Sequence, residues 1–391
     1  MKIKYSQFAN IILYFIMIFF IIDIGNLKYI IAFLGIFSFL LLNYFKNKCI
    51  IFKNFNYEVK WLAFILLTFI SITVFKQIIN GFNLYFINEI IYFITPILLV
   101  YSFLQLQDKN SIFQTIDWLF IIYCITFFVK TWGQLNLDQI IQISFADTYS
   151  PFEGTGLAFV FVPFIFYFYY RKNLLLEVIC FIFVFLTMKR LAFVAGIVVL
   201  IVSLITLNKN TSKIKVKKIW AIIPCIFFIL LPIITNLLLN DAFADWFADK
   251  TGLDIYSFTM GRFLRLNQVT DNNAGGYGWG STTTYLTDYY TNYFANTDST
   301  NFNLHNDIYK IFIEIGIIGS CVFTIGFFKL CKRNYMAVLF VTYLFFEMFV
   351  NHLLGAGSVQ FWVLSYLLLF CFNCKVFNRI ENRSLLVKNV R

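Results

Sequence analysis

Apolar residues run in blocks of about 15 to 23 along nearly the whole chain, each closed by a short polar segment. Blocks of that size match the ~20 residues a helix needs to cross a bilayer. Twelve stand out, at 8–22, 29–45, 61–78, 88–104, 116–132, 156–170, 174–188, 191–207, 219–239, 306–328, 335–352 and 359–373. They predict an all-α polytopic integral membrane protein of about twelve transmembrane helices, and the even number puts both termini on one side. Two connections are longer than the others, one near 133–155 and one over 240–304, which is 65 residues long. Long loops in compact proteins commonly carry function. The expected organisation is nine helices over 1–239 with an outer loop near 133–155, a large extracytoplasmic loop over 240–304, three helices over 305–373, and a basic cytoplasmic tail over 374–391.

Charge gives these helices a direction. With the N-terminus inside, the inner segments hold 22 of the 31 lysines and arginines, the asymmetry that the positive-inside rule requires. The first apolar block lacks a small-residue cleavage site and is expected to stay as an anchor. The expected location is the bacterial cytoplasmic (inner) membrane, crossed many times, with both termini cytoplasmic. Hydrophobic residues at 60% and charged residues at 13% exclude a soluble globule. The net charge of +11 belongs to topology, so no nucleic acid is expected as a partner. The eight cysteines fall in spans or on the inner side, and Cys371 and Cys374 lack the further ligands of a zinc site. No metal and no cofactor are expected.

Candidate chemistry gathers on the outer side. Arg262 and Arg265 stand in a loop that otherwise holds seven aspartates. A guanidinium is a permanent cation whose planar fork matches phosphate oxygens, although a surface ion pair with an aspartate would explain either residue alone. Lys189 and Arg190 break two apolar runs at their outer ends, as a phosphate-binding turn or as a snorkelling pair. His305-Asn306-Asp307 opens the tenth span, with Lys310 and Glu314 following on one helical face. Histidine is suited to taking a hydroxyl proton near neutral pH; Asn306 or Asp307 as a cap, and Lys310 and Glu314 as an i,i+4 pair, is the structural alternative. Gly316 and Gly319 are expected to serve close helix packing, and His352 is open to either role. The run Ala274-Gly275-Gly276-Tyr277-Gly278-Trp279-Gly280 lacks a nucleotide-binding register. It could set Tyr277 and Trp279 against a polar substrate or be a flexible loop. Asp241, Asp245 and Asp249 share one helical face opposite Phe243, Trp246 and Phe247, which predicts an amphipathic helix at the outer surface. The outer loops contain no Asp-x-Asp pair, which disfavours a magnesium-dependent sugar-nucleotide transferase.

The stretch from His305 to Gly319, with His305, Asn306, Glu314, Gly316 and Gly319 in register, resembles the histidine-asparagine, glutamate-x-glycine signature of the O-antigen polymerase (Wzy) and O-antigen ligase superfamily. Thr187-Met188-Lys189-Arg190-Leu191-Ala192 resembles that family's threonine-x-serine-arginine turn, and Met260-Gly261-Arg262 its glycine-arginine motif. Lys189 replaces the usual serine, Leu191 a small residue, and Glu153-Gly154-Thr155 the proline-asparagine after the earlier outer loop. The resemblance implies a GT-C-like architecture and a metal-independent glycosyltransferase. Its donor would be an oligosaccharide on undecaprenyl pyrophosphate, in contact with membrane lipids and working beside a flippase and a chain-length regulator. Carried across, Arg190 and Arg262 bind the diphosphate, His305 is the base, and Arg265 and Lys189 are auxiliary cations. Glu153 and Glu314 follow as the next carboxylates of the pocket, and Tyr277 and Trp279 as sugar-facing aromatics. The expected activity is polymerisation of polysaccharide, for capsule, exopolysaccharide or O-antigen, by transfer of the growing chain onto the next lipid-linked repeat unit. Ligation to another acceptor is the nearest alternative. A lipid-linked oligosaccharide flippase is a third, and would need cations along a central cavity.

Overall fold

A computed structural model describes residues 4–373 apart from 24, 51–55, 134–137, 139, 140, 142, 144–149, 151, 153–156, 188, 207–215, 256–258, 260, 294–302, 332, 333, 356 and 357. The described residues form fifteen helices. In chain order these are α1 (Tyr5–Ile22), α2 (Leu27–Asn47), α3 (Asn56–Asn80), α4 (Tyr85–Leu104), α5 (Lys109–Lys130), α6 (Ala158–Arg171), α7 (Leu174–Thr187), α8 (Arg190–Thr206) and α9 (Lys218–Leu238). After them come α10 (Asp241–Thr251), α11 (Arg262–Asp271), α12 (Ser281–Tyr293), α13 (Asp307–Leu330), α14 (Tyr335–Val350) and α15 (Val359–Asn373). Seven are long and apolar enough to cross a membrane: α1 to α5, α9 and α13. The other five expected spans are apolar helices of 10–17 residues. The fold is that of an α-helical polytopic membrane protein. The expected basic tail lies outside the described residues, as does most of the loop near 133–155.

Polar contacts at the helix ends show that successive helices run in opposite directions. At one end, Asn10 of α1 donates to Ser111 of α5 (3.2 Å), Lys46 of α2 to the carbonyl of Leu106 beyond α4 (3.3 Å), and Tyr167 of α6 to Asp117 of α5 (2.8 Å). The Tyr170 and Phe372 rings meet there at 5.2 Å, and Asn373 of α15 bonds the carbonyl of Leu330 in α13. The first and last described helices therefore end together, among Lys4, Lys46, Arg171, Lys172 and Lys329. At the opposite end Lys130 of α5 donates to the carbonyl of Ile21 in α1 (3.2 Å), and Ser150 to that of Leu186 in α7.

Burial sorts the helices by position. In α15 nearly every residue is buried, the signature of a helix surrounded by protein. In α9 only Phe228 and Pro232 are, so its apolar sides face the solvent that a bilayer would supply. Between these extremes α3 and α13 pack closely. Phe69 stacks on Phe323 (5.8 Å, 27°), and a Cβ at Gly326 would stand 2.7 Å from Ile65.

The glycine run is not a flexible loop; it is inserted between α3, α4 and α13. A Cβ at Gly275 would lie 2.4 Å from the Ile313 carbonyl oxygen, and one at Gly278 2.8 Å from Thr73 Cα. Only glycine permits that approach. The Trp279 amide donates to Thr73 Oγ1 (3.1 Å), and its ring is held edge-on between Phe69 (5.1 Å) and Phe93 (5.8 Å). Gly316, expected to serve packing, instead breaks α13: its φ of 74° lies in the left-handed region and nothing is within 4 Å of its Cβ position. A break strips carbonyls of their helical partners. Lys76 serves there, donating to Ile313 (3.3 Å) and to Gly275 (3.0 Å).

Lys310 and Glu314 attract each other as their spacing suggested, but the direct partner of Lys310 is another carboxylate. Lys310 Nζ is 2.6 Å from Glu89 Oε1 of α4, with both side chains almost fully buried, and it also donates to Thr283 Oγ1 (3.0 Å). Glu314 Oε1 accepts from the amide (3.0 Å) and hydroxyl (2.5 Å) of Thr282. Removing one partner of a buried pair strands the other charge, at a cost of about 3–5 kcal/mol, whereas neutralising both is far milder. Lys310→Met should therefore lower the thermal unfolding midpoint in detergent sharply, and Glu89→Leu/Lys310→Met should recover part of the loss, the remainder reflecting the buried Glu314, which loses the same cation. Equal midpoints for the single variant and the parent would contradict the pairing.

Candidate active site

The site is built where the large loop meets α13. Asn306 caps the helix, its Oδ1 accepting from the Tyr309 amide (2.9 Å), as such a residue does at an N-cap. Asp307, fully buried, sits in the first turn, where the helix dipole favours a carboxylate. It accepts from the amides of Leu353 (2.5 Å) and Leu354 (2.8 Å), and its Oδ1 is 2.9 Å from His352 Nδ1. The turn after α14 is thus clamped onto the start of α13, which leaves His305 just outside the helix, partly covered and partly open.

The loop supplies two arginines from a helix with its own small core. Gly261, at φ 73°, turns the chain into α11. Leu266 and Val269 of α11 pack with Leu286, Leu304 and Tyr309. The Tyr309 hydroxyl fixes this core to the bundle, meeting Thr270 (2.8 Å) and donating to Asn236 of α9 (2.9 Å). Arg262 and Arg265 lie one turn apart and share a helical face. Arg265 donates to the Asn303 carbonyl (3.5 Å), two residues before His305, and its guanidinium stands 5.6 Å from the Tyr290 ring centre. Tyr285 and Tyr289 stack alongside on α12 (6.0 Å, 28°).

These cations act on His305. Burial of part of the ring, then Arg262, Arg265 and His352, push its pKa down from 6.5 to about 4, with Asp307 pulling weakly the other way. Two cations in the first turn of a helix add to the positive end of its dipole. The local field therefore favours an anion and disfavours imidazolium.

Of the other sequence candidates, Tyr277 is exposed whereas Trp279 and Glu314 are buried, in the anchor of the glycine run rather than beside His305. Lys189 lies in the turn between α7 and α8, its carbonyl accepting from the Phe193 amide (2.8 Å), and Arg190 is the first residue of α8. The side chain of Arg190, and Glu153 altogether, lie outside the described residues. The sequence left His352 open, and its partner Asp307 was read only as a cap. Asp241–Thr251 is a helix, as its pattern predicted, with none of its residues buried and Phe243 stacked on Trp246 (5.5 Å, 22°).

No family model matches the chain, and comparison with curated proteins and with solved structures finds no match.

The chain has two histidines, so each can be followed by NMR of histidine-labelled protein, with His352→Gln assigning the signals. His305 should titrate near 4. Arg262→Gln and Arg265→Gln should each move it up toward 6.5, because each removes a charge that repels the imidazolium. A His305 that titrates at 6.5 in all three proteins would show that the arginines do not face it.

Proposed function

We propose that this protein is a polysaccharide polymerase of the O-antigen polymerase (Wzy) kind, a membrane glycosyltransferase with twelve spans. It would transfer a growing glycan from undecaprenyl pyrophosphate to a lipid-linked repeat unit at the outer face of the cytoplasmic membrane. The observation that carries this reading is that Arg265, one turn from Arg262 on α11, bonds the Asn303 carbonyl two residues before His305, so that the field of both arginines reaches the histidine. The motif resemblance of the sequence points the same way.

In the reaction an acceptor hydroxyl attacks the anomeric carbon of the donor. A new C–O bond forms, the bond to the diphosphate breaks, and the proton passes to His305 Nδ1 or Nε2. Charge grows on the leaving diphosphate, and guanidinium groups held in place beforehand stabilise it without reorganising. The same charge acts on the base: an anion between Arg262 and Arg265 would offset the part of the His305 shift that they cause, while the larger part, from burial, stays. By the motif resemblance Arg190 would also bind the diphosphate, with Lys189 as an auxiliary cation, and the tyrosines of α12 are assigned to the sugars.

Purified protein given lipid-pyrophosphate repeat units should yield a ladder of products. Transfer only to a foreign acceptor would indicate a ligase, and relocation without new bonds a flippase. Arg262→Ala should abolish the ladder, with poor rescue by lysine because the bidentate fork is lost. His305→Ala should lose about 10²- to 10⁴-fold in turnover while still binding the donor. A ladder of normal length and rate from both variants would end this assignment.

Sidedness is tested separately. A cysteine replacing the exposed Asp245 should react with an impermeant thiol reagent in intact cells once native thiols are masked. Reaction only after lysis would invert the orientation.

A further inference from the structure

At the lysine-rich end, α5, α6 and the start of α7 enclose a cavity of about 290 Å³ lined by Asp117, Phe120, Ile121, Phe168, Arg171, Asn173 and Leu176. Its charges are arranged unusually. Asp117 lies inside a helix apolar enough to span the membrane, where a carboxylate is costly and calls for a partner. Arg171, of opposite charge, lines the same cavity, yet the two are joined through a third group. The Tyr167 hydroxyl, deep in the bundle, donates to Asp117 Oδ1 (2.8 Å), with the Phe113 carbonyl at 3.2 Å, and accepts from Arg171 Nη1 (3.2 Å). The guanidinium also lies over the Phe113 ring, 4.3 Å from its centre. Arg171 is therefore held in place along its flat face, and its remaining N–H groups are available to a further acceptor.

A site with one fixed cation and one carboxylate, spaced by a tyrosine and walled by Phe120, Ile121, Phe168 and Leu176, complements a ligand with both charges and an apolar body. Ile121 is exposed on the outside of the bundle, so the cavity borders the surface that lipid would cover. We propose that it binds the headgroup of a zwitterionic phospholipid bearing a primary ammonium, phosphatidylethanolamine in chemical terms. The phosphate would sit on Arg171 and the ammonium on Asp117, at the inner leaflet. Arginine is the residue best matched to phosphate oxygens, and a carboxylate accepts from the N–H groups of a primary ammonium. A quaternary ammonium has none, and a glycerol headgroup carries no cation. This site is at the far end of the bundle from His305 and does not depend on the reaction proposed there.

The test is native mass spectrometry of the full chain, released from nanodiscs of equal parts phosphatidylethanolamine, phosphatidylglycerol and phosphatidylcholine. One phosphatidylethanolamine per chain should be retained, about tenfold over either competitor, the discrimination expected of one charge-assisted hydrogen bond. Asp117→Asn should erase that preference without lowering phosphatidylglycerol binding, and Arg171→Gln should weaken all three. Equal retention of the three lipids by the parent protein would overturn the proposal, whether or not the variants fold. So would a preference that survives both substitutions.

Discussion

The geometry at the His305 end of the bundle depends on one buried ion pair. Lys310 of α13 and Glu89 of α4 meet at 2.6 Å with almost no exposure, and Thr283 joins them from the start of α12. In a low-dielectric interior such a pair contributes little net stability, because its desolvation cost is close to its attraction. Its value lies in what it excludes: slide α12 along the bundle, or rotate α13, and a charge is stranded away from water. The neighbouring Glu314 sets the same condition through Thr282. Loop, α4 and α13 are thereby held in one register, and that register keeps α11 packed beside the start of α13, with Arg265 bonded to the Asn303 carbonyl.

The glycine run follows from this constraint. Backbone that enters a membrane-spanning bundle must find hydrogen-bond partners from protein, since lipid offers none. Thr73, Lys76 and Asn80, spaced along the end of α3, provide them for Trp279, Gly275 and Gly276 in turn. The break at Gly316 belongs to the same arrangement, because the carbonyl it frees at Ile313 shares Lys76 with Gly275. A polar ladder on one helix thus accounts for two irregular stretches distant in sequence.

How much of this was legible in the sequence follows from the range of the interactions. The apolar helices were, because a bilayer imposes a block length that any single segment reveals by itself. The amphipathic α10 was also visible, its aspartates and aromatics being fixed by local period. The direct partner of Lys310 was missed for a related reason: its i,i+4 neighbour Glu314 is visible in spacing, whereas Glu89 lies 221 residues away. One signal was available there, since a lone carboxylate early in the apolar block 88–104 must be compensated by something. The glycines of 275–280 were read as freedom of the backbone, when what they provide is the absence of a Cβ against Ile313 and Thr73. At the candidate site, Arg262, Arg265 and His305 were chosen by residue chemistry, position in the loop and motif resemblance, whereas the contact of His352 with Asp307 could not be read from sequence because it forms only once α14 has returned to the start of α13.

The clamp on Asp307 also bears on the order in which the molecule is assembled. The partners of the inserted loop come from both sides of it in the chain: Thr73, Lys76 and Glu89 precede it, while Lys310 and Ile313 follow. The amides that hold Asp307 come later still, from Leu353 and Leu354, close to the end of the described chain. A nascent chain emerging from the ribosome cannot complete this end of the molecule segment by segment. The inserted loop must wait for the first turns of α13, and a chain stopped before residue 353 would still lack the amides that fix the start of that helix.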